Sequence, residues 1–255
     1  MYNSIQDTLI IGKKVIYLPS CHSTNDIAAE IVHAGLFTEG TVVITDHQLS
    51  GRGQRGTSWF ANPGQNLTFS IVLTPAFLPI QNQFLISQTV ALGIKAYLEK
   101  YISGVQIKWP NDILVGGKKI CGILIENAIQ GSKLNTSIVG IGLNINQMNF
   151  ENDLATSLFI ETGGELSLGD EFAALMRCLD AAYLQLRGGN RFTEIRRAYM
   201  GSLYGYAQEV KFSYKDRVYT GTVTGVDELG QLSVRLSNGE ELTDLGIKEI
   251  SWIRS

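Results

Sequence analysis

The chain has 255 residues, enough to bury one large core, or one medium core with a small appendage. Hydrophobic residues make up 44% and charged residues 18% of it, a balance that excludes an intrinsically disordered chain. A net charge of -3 argues against general nucleic-acid or anionic-membrane binding, which draws on a basic excess, although local basic clusters can still hold a phosphate.

In chain order, Ser23-Thr24-Asn25-Asp26 are good capping residues and open a first helix. Its apolar positions Ile27, Ala28, Ile31 and Val32 keep helical spacing, and Gly35 stands where a C-cap belongs. The β-branched run Thr41–Thr45 predicts a buried strand, followed by a polar, glycine-rich loop from Asp46 to Gly64. Asn66–Leu73 alternates, with Leu67, Phe69, Ile71 and Leu73 on one face, and a long helix over about 83–100 comes next. Strands are expected at Val105–Trp109, Ile113–Val115, Lys119–Glu126 and Ser137–Ile145, with Gly116-Gly117 as a hairpin turn. Helical intervals return at about 170–187, through Phe172, Leu175, Met176 and Leu179, and a shorter helix is expected at about 192–200. After Gly201 short strands at 209–214, 218–226, 231–236 and 241–242 alternate with turns at 227–230 and 237–239. That meander predicts a small β-barrel appended to a mixed α+β domain.

No stretch reaches the ~18 apolar residues that span a bilayer. The first seven residues lack the basic and apolar regions of a secretory signal. Cys21, Cys121 and Cys178 are scattered without metal-ligand spacing and read as reduced thiols of a cytoplasmic protein. His22, His33 and His47 are equally dispersed, so no histidine-based metal site is expected.

Three segments carry chemistry. In Gln48–Trp59 three glycines (Gly51, Gly53, Gly56) let backbone amides approach a ligand, and Arg52 and Arg55 add forks suited to carboxylate or phosphate oxygens. The segment lacks the Gly-Lys-Ser/Thr ending of a P-loop, and a solvated surface loop is the alternative. In Lys108-Trp109-Pro110-Asn111-Asp112, Pro110 ends a strand, and Asn111-Asp112 form either a plain turn or a site for a metal, amine or ribose. Lys118 and Lys119 alternate across a strand, so only one of them can enter a pocket, and a solvated lysine is the alternative. In Val139–Asn146, Gly140 and Gly142 interrupt an apolar strand, marking either close approach by a ligand or another backbone, or tight packing between sheet and helix.

Taken in order, Ser23-Thr24-Asn25, Gly51–Trp59, Lys108–Asp112, Lys119-x-x-Gly122 and Gly140–Asn144 resemble the signature of biotin–protein ligases. The likeness runs from about residue 15 to the end and is strongest in the two loops. It implies an α+β catalytic domain of the class II aminoacyl-tRNA synthetase type at 1–203, and a C-terminal SH3-like domain at 204–255. It implies ATP-dependent formation of biotinyl-5′-AMP, then transfer of biotin to a lysine of a biotin carboxyl carrier protein, that of acetyl-CoA carboxylase being the first expectation. By resemblance Ser23, Thr24, Gln48, Gly51, Arg52, Lys119, Gly122 and Gly140 bind biotin. Gln54, Arg55, Trp59, Asn111, Asn144 and, through a looser alignment, Arg217 face the nucleotide. Lys119, Arg52 and Asp112 are the catalytic set, with ATP and Mg²⁺ as cosubstrates and the individual metal ligands unassigned.

Two departures stand out. Better-known members carry arginine or lysine where this chain has Gln54, Thr57 and Ser58, so the loop is less basic. The short stretch before Ser23 leaves no room for a helix-turn-helix, so no DNA-binding role is expected. A lipoate ligase or octanoyltransferase would show an Arg-Arg-x-x-Gly-Gly-Gly pattern with a following His-Asp, which is missing here. The remaining rival is a non-catalytic biotin or adenylate sensor, against which Arg52, Asp112 and Lys119 stand together. A sheet-edge homodimer is compatible with the resemblance, and no membrane partner is expected.

Overall fold

The structure, a computed structural model, describes residues 2–131 and 133–253, with Arg55 described by its backbone alone. Elements run β1 (Val15–Cys21), α1 (Thr24–His33), β2 (Thr41–Gln48), β3 (Leu67–Leu73), α2 (Phe84–Leu98), β4 (Val105–Lys108), β5 (Asp112–Val115), β6 (Lys118–Gln130) and β7 (Lys133–Leu143). Then follow α3 (Leu158–Thr162), α4 (Leu168–Arg187), α5 (Phe192–Gly201), β8 (Val210–Tyr214), β9 (Arg217–Val226), β10 (Leu232–Leu236), β11 (Glu241–Leu245) and β12 (Ile250–Ile253). Among the described residues no helix is long and apolar enough to cross a membrane.

The first nine elements build a seven-stranded mixed sheet in the order β1-β2-β3-β7-β6-β5-β4. Only β1 and β2 are parallel, and α1 makes the crossover that a parallel pair requires. The odd residues of β3 face the main core, where Phe69 meets Phe172 of α4 edge-on with ring centroids 5.9 Å apart. Its even residues are buried as well. Val72 joins Ala28, Val43 and Ile138 beneath α1, and Ser70 reaches Thr24 and Asn25. Two covered faces explain why β3 is buried throughout despite its alternating sequence.

The C-terminal strands form a five-stranded antiparallel sheet in the order β11-β10-β9-β8-β12. Trp109 joins the two sheets: its Nε1 donates to the Gly230 carbonyl at 2.9 Å, and its own carbonyl accepts from Trp252 Nε1 at 3.3 Å. The α+β class and the appended all-β unit therefore match the expectation.

Three elements escape the sequence pattern. Strand β1 carries Pro19 and polar residues, as an edge strand can. Helix α3 has only five residues, and β12 only four. Several boundaries also shift, with β6 running on to Gln130 and β7 starting as early as Lys133. Strand β2 continues to Gln48, and Asp112 begins β5 while Asn111 keeps the turn.

Candidate functional site

Residues Leu49 to Phe60 leave the sheet as a flap. Arg52 and Ser58 pair in antiparallel fashion, and Trp59 N donates to Gly51 O at 2.9 Å. Gln54–Gly56 make one turn of 3₁₀ helix at the tip. The expected loose loop is thus a closed ribbon. Gly51 is required for that closure, because a Cβ there would stand 2.3 Å from the Trp59 carbonyl oxygen.

Behind the flap lies a cavity of about 430 Å³, in the size range of small-molecule sites. Ser23, Thr24 and Gln48 form part of its polar wall. Ser23 holds the N-cap position of α1 with extended backbone, yet its side chain makes no capping bond and lines the cavity instead. Gln48 Oε1 accepts from Thr24 N at 2.8 Å and from Thr24 Oγ1 at 3.2 Å. The floor is β7, where a Cβ at Gly140 would lie 2.4 Å from Asn25 Oδ1 and one at Gly142 only 2.1 Å from the Trp59 indole. Gly140 therefore makes room for a side chain of α1, the sheet-to-helix packing that was one of the two sequence readings, and Gly142 makes room for the Trp59 side chain rather than for another backbone.

Arg52, Gln54 and Trp59 of the flap line the cavity, as do Asn111, Asp112, Lys119 and Gly122 from the opposite side. Asp112 is buried. It accepts from Lys108 Nζ at 2.8 Å and pairs with Lys119 Nζ at 2.6 Å. Burial by itself pushes its carboxyl up, but Lys119 and then Lys108 outweigh that and hold it below the usual carboxylate range. The carboxylate is therefore charged across the neutral range. The Lys119 backbone is fixed by Lys119 N to Leu154 O (2.8 Å) and Thr156 N to Lys119 O (2.9 Å), while its ammonium lies 5.4 Å from the Trp59 ring centroid. Lys118 is exposed, as the strand alternation requires. Asn111 is committed locally, its Nδ2 donating to Ile123 O at 2.7 Å.

A second cavity of about 390 Å³ adjoins the first, and Trp59 and Lys119 line both. Asn144 borders this second space. Its Nδ2 donates to Thr156 O at 2.9 Å, while its buried Oδ1 has no partner among the described residues. Gly51 lines neither of these cavities and borders a separate groove with Leu124 and Glu126. Arg217 starts β9 and lines neither cavity; the C-terminal segment reaches the larger one through Ile247, Lys248, Ile250, Ser251 and Trp252. The Arg55 side chain lies outside the described residues.

Sequence reasoning passed over Lys108, Asn25, Asp26, Glu126 and Lys248. Lys108 could have been found from its i, i+4 spacing to Asp112, and Asn25 from its place beside Thr24. Glu126 and Lys248 carry no local signal, since only the sheet and the second domain bring them to the site.

Comparison with known proteins places this geometry among relatives. Residues 17–144 match the model of the Biotin/lipoate A/B protein ligase family. The bifunctional ligase/repressor BirA of Bacillus subtilis is 28% identical over 239 residues, which cover 91% of this chain and 72% of that protein. A biotin--[acetyl-CoA-carboxylase] ligase of Mycobacterium tuberculosis is 29% identical over 173 residues, 66% of this chain and 63% of the relative. The structure of biotin protein ligase from Aquifex aeolicus in complex with biotin and ATP superposes with a TM-score of 0.75 at 26% identity, covering 95% of this chain and 100% of that one.

Proposed function

Because the chain belongs to the biotin/lipoate A/B protein ligase family, and the relatives named above include biotin ligases, we propose that it is an ATP-dependent biotin–protein ligase. It forms biotinyl-5′-AMP and passes the biotinyl group to a lysine of a biotin carboxyl carrier protein. The observation that carries this reading is Lys119, which stands where the two cavities meet.

A cation at that seam is suited to a reaction that joins two anions. The larger cavity, with Ser23, Thr24 and Gln48 on its wall, suits a small acid bearing a polar ring. The second cavity suits a nucleobase, with the Trp59 ring for stacking and the unpartnered Asn144 Oδ1 to accept an amino N–H. The biotin carboxylate oxygen attacks the α-phosphorus, the bond from phosphorus to the bridging oxygen breaks, and pyrophosphate leaves. Lys119 screens the repulsion between carboxylate and phosphate and keeps the reactants in line. Mg²⁺ enters with ATP as part of the substrate, held mainly by phosphate oxygens.

Asp112 serves the second step. It is the one carboxylate among the described residues lining the larger cavity, and it already holds two ammonium groups. When Lys119 turns to the adenylate, its place at Asp112 is open to the carrier lysine. That amine attacks the acyl carbon, the bond to AMP breaks, and Asp112 orients the nitrogen and takes up its proton. The flap covers the mixed anhydride and keeps water from hydrolysing it. Residues 1–203 act as the catalytic domain in this reading, with 204–255 closing one wall, and the three unpaired thiols suit the cytoplasm.

Incubation with biotin, MgATP and an apo-carrier domain tests the proposal through the mass of the carrier. One biotinyl group should be added, with biotin-dependent pyrophosphate exchange. Labelling and exchange with lipoate and not with biotin would reverse the assignment.

A further inference from the structure

Arg52 does not point at the substrate cavity alone. Its Nη2 lies 2.6 Å from Asp26 Oδ1 on α1, and its two terminal nitrogens each lie 3.1 Å from an oxygen of Glu126 on β6. Glu126 Oε2 is fixed in turn by Asn25 Nδ2 at 2.7 Å. Asn25 Oδ1 lies 2.6 Å from the Ser70 hydroxyl, which is also 2.7 Å from Thr24 Oγ1. With one proton to give, Ser70 can donate to only one of these at a time. The network thus runs from the flap arm to the cavity wall and ends on Gln48, the last residue before the flap.

Among the described residues, the flap is held beyond its root at one point on each arm. Its internal hydrogen bonds, Gly53 N to Thr57 O and Trp59 N to Gly51 O, keep its shape and not its position. Leu49 N to Cys21 O and Ser50 N to His22 O tie only its first residues. The descending arm rests on β7 through the Trp59 ring against Gly142. The ascending arm is tied, among the described residues, by Arg52 to Glu126 and Asp26. We propose that Glu126 and Asp26 are positioning residues that latch the flap shut through Arg52, and so set how long an activated intermediate stays in the cavity.

The ion pairs are exposed, at 45% for Arg52, 47% for Asp26 and 39% for Glu126, so each is weak by itself. Three charges and a two-pronged guanidinium contact acting on one arm make a latch that still opens for product exchange. Exposure also makes it sensitive to salt, whereas a buried structural role would not be. Asp26 is the more diagnostic partner, since among the described residues its carboxylate meets Arg52 alone in this network, while Glu126 also steadies Asn25.

The kinetic consequence rests on the adenylate reading of the cavity; the structural consequence does not. The test uses the full chain with Asp26→Asn, Glu126→Gln and the double substitution. Two quantities are read: amide hydrogen exchange at 50–58 in the ligand-free protein, and release of preformed biotinyl-AMP into solution. The double variant should exchange faster at these amides and release the adenylate roughly five- to tenfold faster, with Asp26→Asn alone moving both in the same direction. Raising salt to about 1 M should speed release from the unaltered protein and leave the double variant unchanged. Unchanged exchange in the double variant overturns the latch, whatever the release rate does. So does an effect confined to Glu126→Gln, which would assign that residue to Asn25. If the unaltered protein makes no adenylate, the ligase reading fails, and the exchange measurement still decides the latch.

Discussion

A methyl group at position 142 would stand where the Trp59 indole now lies. The Cβ of Gly142→Ala would come 2.1 Å from Cε2, 2.4 Å from Cζ2 and 2.5 Å from Nε1 of that ring. Carbon atoms pack at about 3.5 Å, so the ring has to retreat by roughly 1.4 Å. Nothing else in β7 opposes the change, because Gly142 has no positive φ and an alanine fits an extended strand. Among the described residues the Trp59 Nε1 has no hydrogen-bond partner to resist the movement. Stability should therefore change by less than about 1 kcal/mol, the strain being relieved toward solvent. On the proposed nucleotide reading, a displaced stacking face costs about 1–2 kcal/mol, which raises KM for ATP roughly 5- to 30-fold. The assay is ATP-dependent pyrophosphate exchange, with Trp59→Ala and the double variant completing a cycle. In the Trp59→Ala background the methyl meets no ring, so its added effect should fall below about twofold. An undiminished effect there, or an unchanged KM in the single variant, refutes the argument.

Lys119→Ala should lower adenylate formation by about 10²–10³-fold in single-turnover measurements. It should remain folded, because the side chain is one-third exposed and Lys108 still pairs with Asp112; comparable activity would remove Lys119 from the mechanism. The Asp112 carboxyl sits below its ordinary value, so its ion pairs stabilise the fold above about pH 4 and lose that effect as the pH falls through the lowered value. The stability gap between the unaltered protein and Asp112→Asn, followed by urea unfolding, should be constant from about pH 5 to 7 and shrink below about pH 4. A gap that widens on acidification contradicts the pairing. Buried Asp180 accepts from Leu9 N (2.8 Å), Ile10 N (2.9 Å) and Ile11 N (2.8 Å), tying the N-terminal segment to α4. Asp180→Ala should cost about 3 kcal/mol and lower Tm by roughly 6–12 °C, and a loss under about 1 kcal/mol would show these donors satisfied elsewhere.

By itself the sequence determined what depends on neighbours along the chain. Helical spacing marked α1 and α4, the Gly116-Gly117 pair marked the β5–β6 turn, and a β-branched run marked β2. The order of Gly51–Trp59, Lys108–Asp112 and Gly140–Asn144 was enough to indicate the family, because these motifs lie in short contiguous stretches. Edge strand β1 and four-residue β12 were invisible, since both are defined by the partner they pair with and not by their own residues. Only the tertiary structure set Lys119 against Asp112 across a hairpin, joined Arg52 to Glu126 over 74 positions, and brought Lys248, not Arg217, to the cavity. Local preference acts within a few residues, whereas a cavity is closed by strand register and by the docking of a second sheet, and no single stretch of the chain encodes those distances.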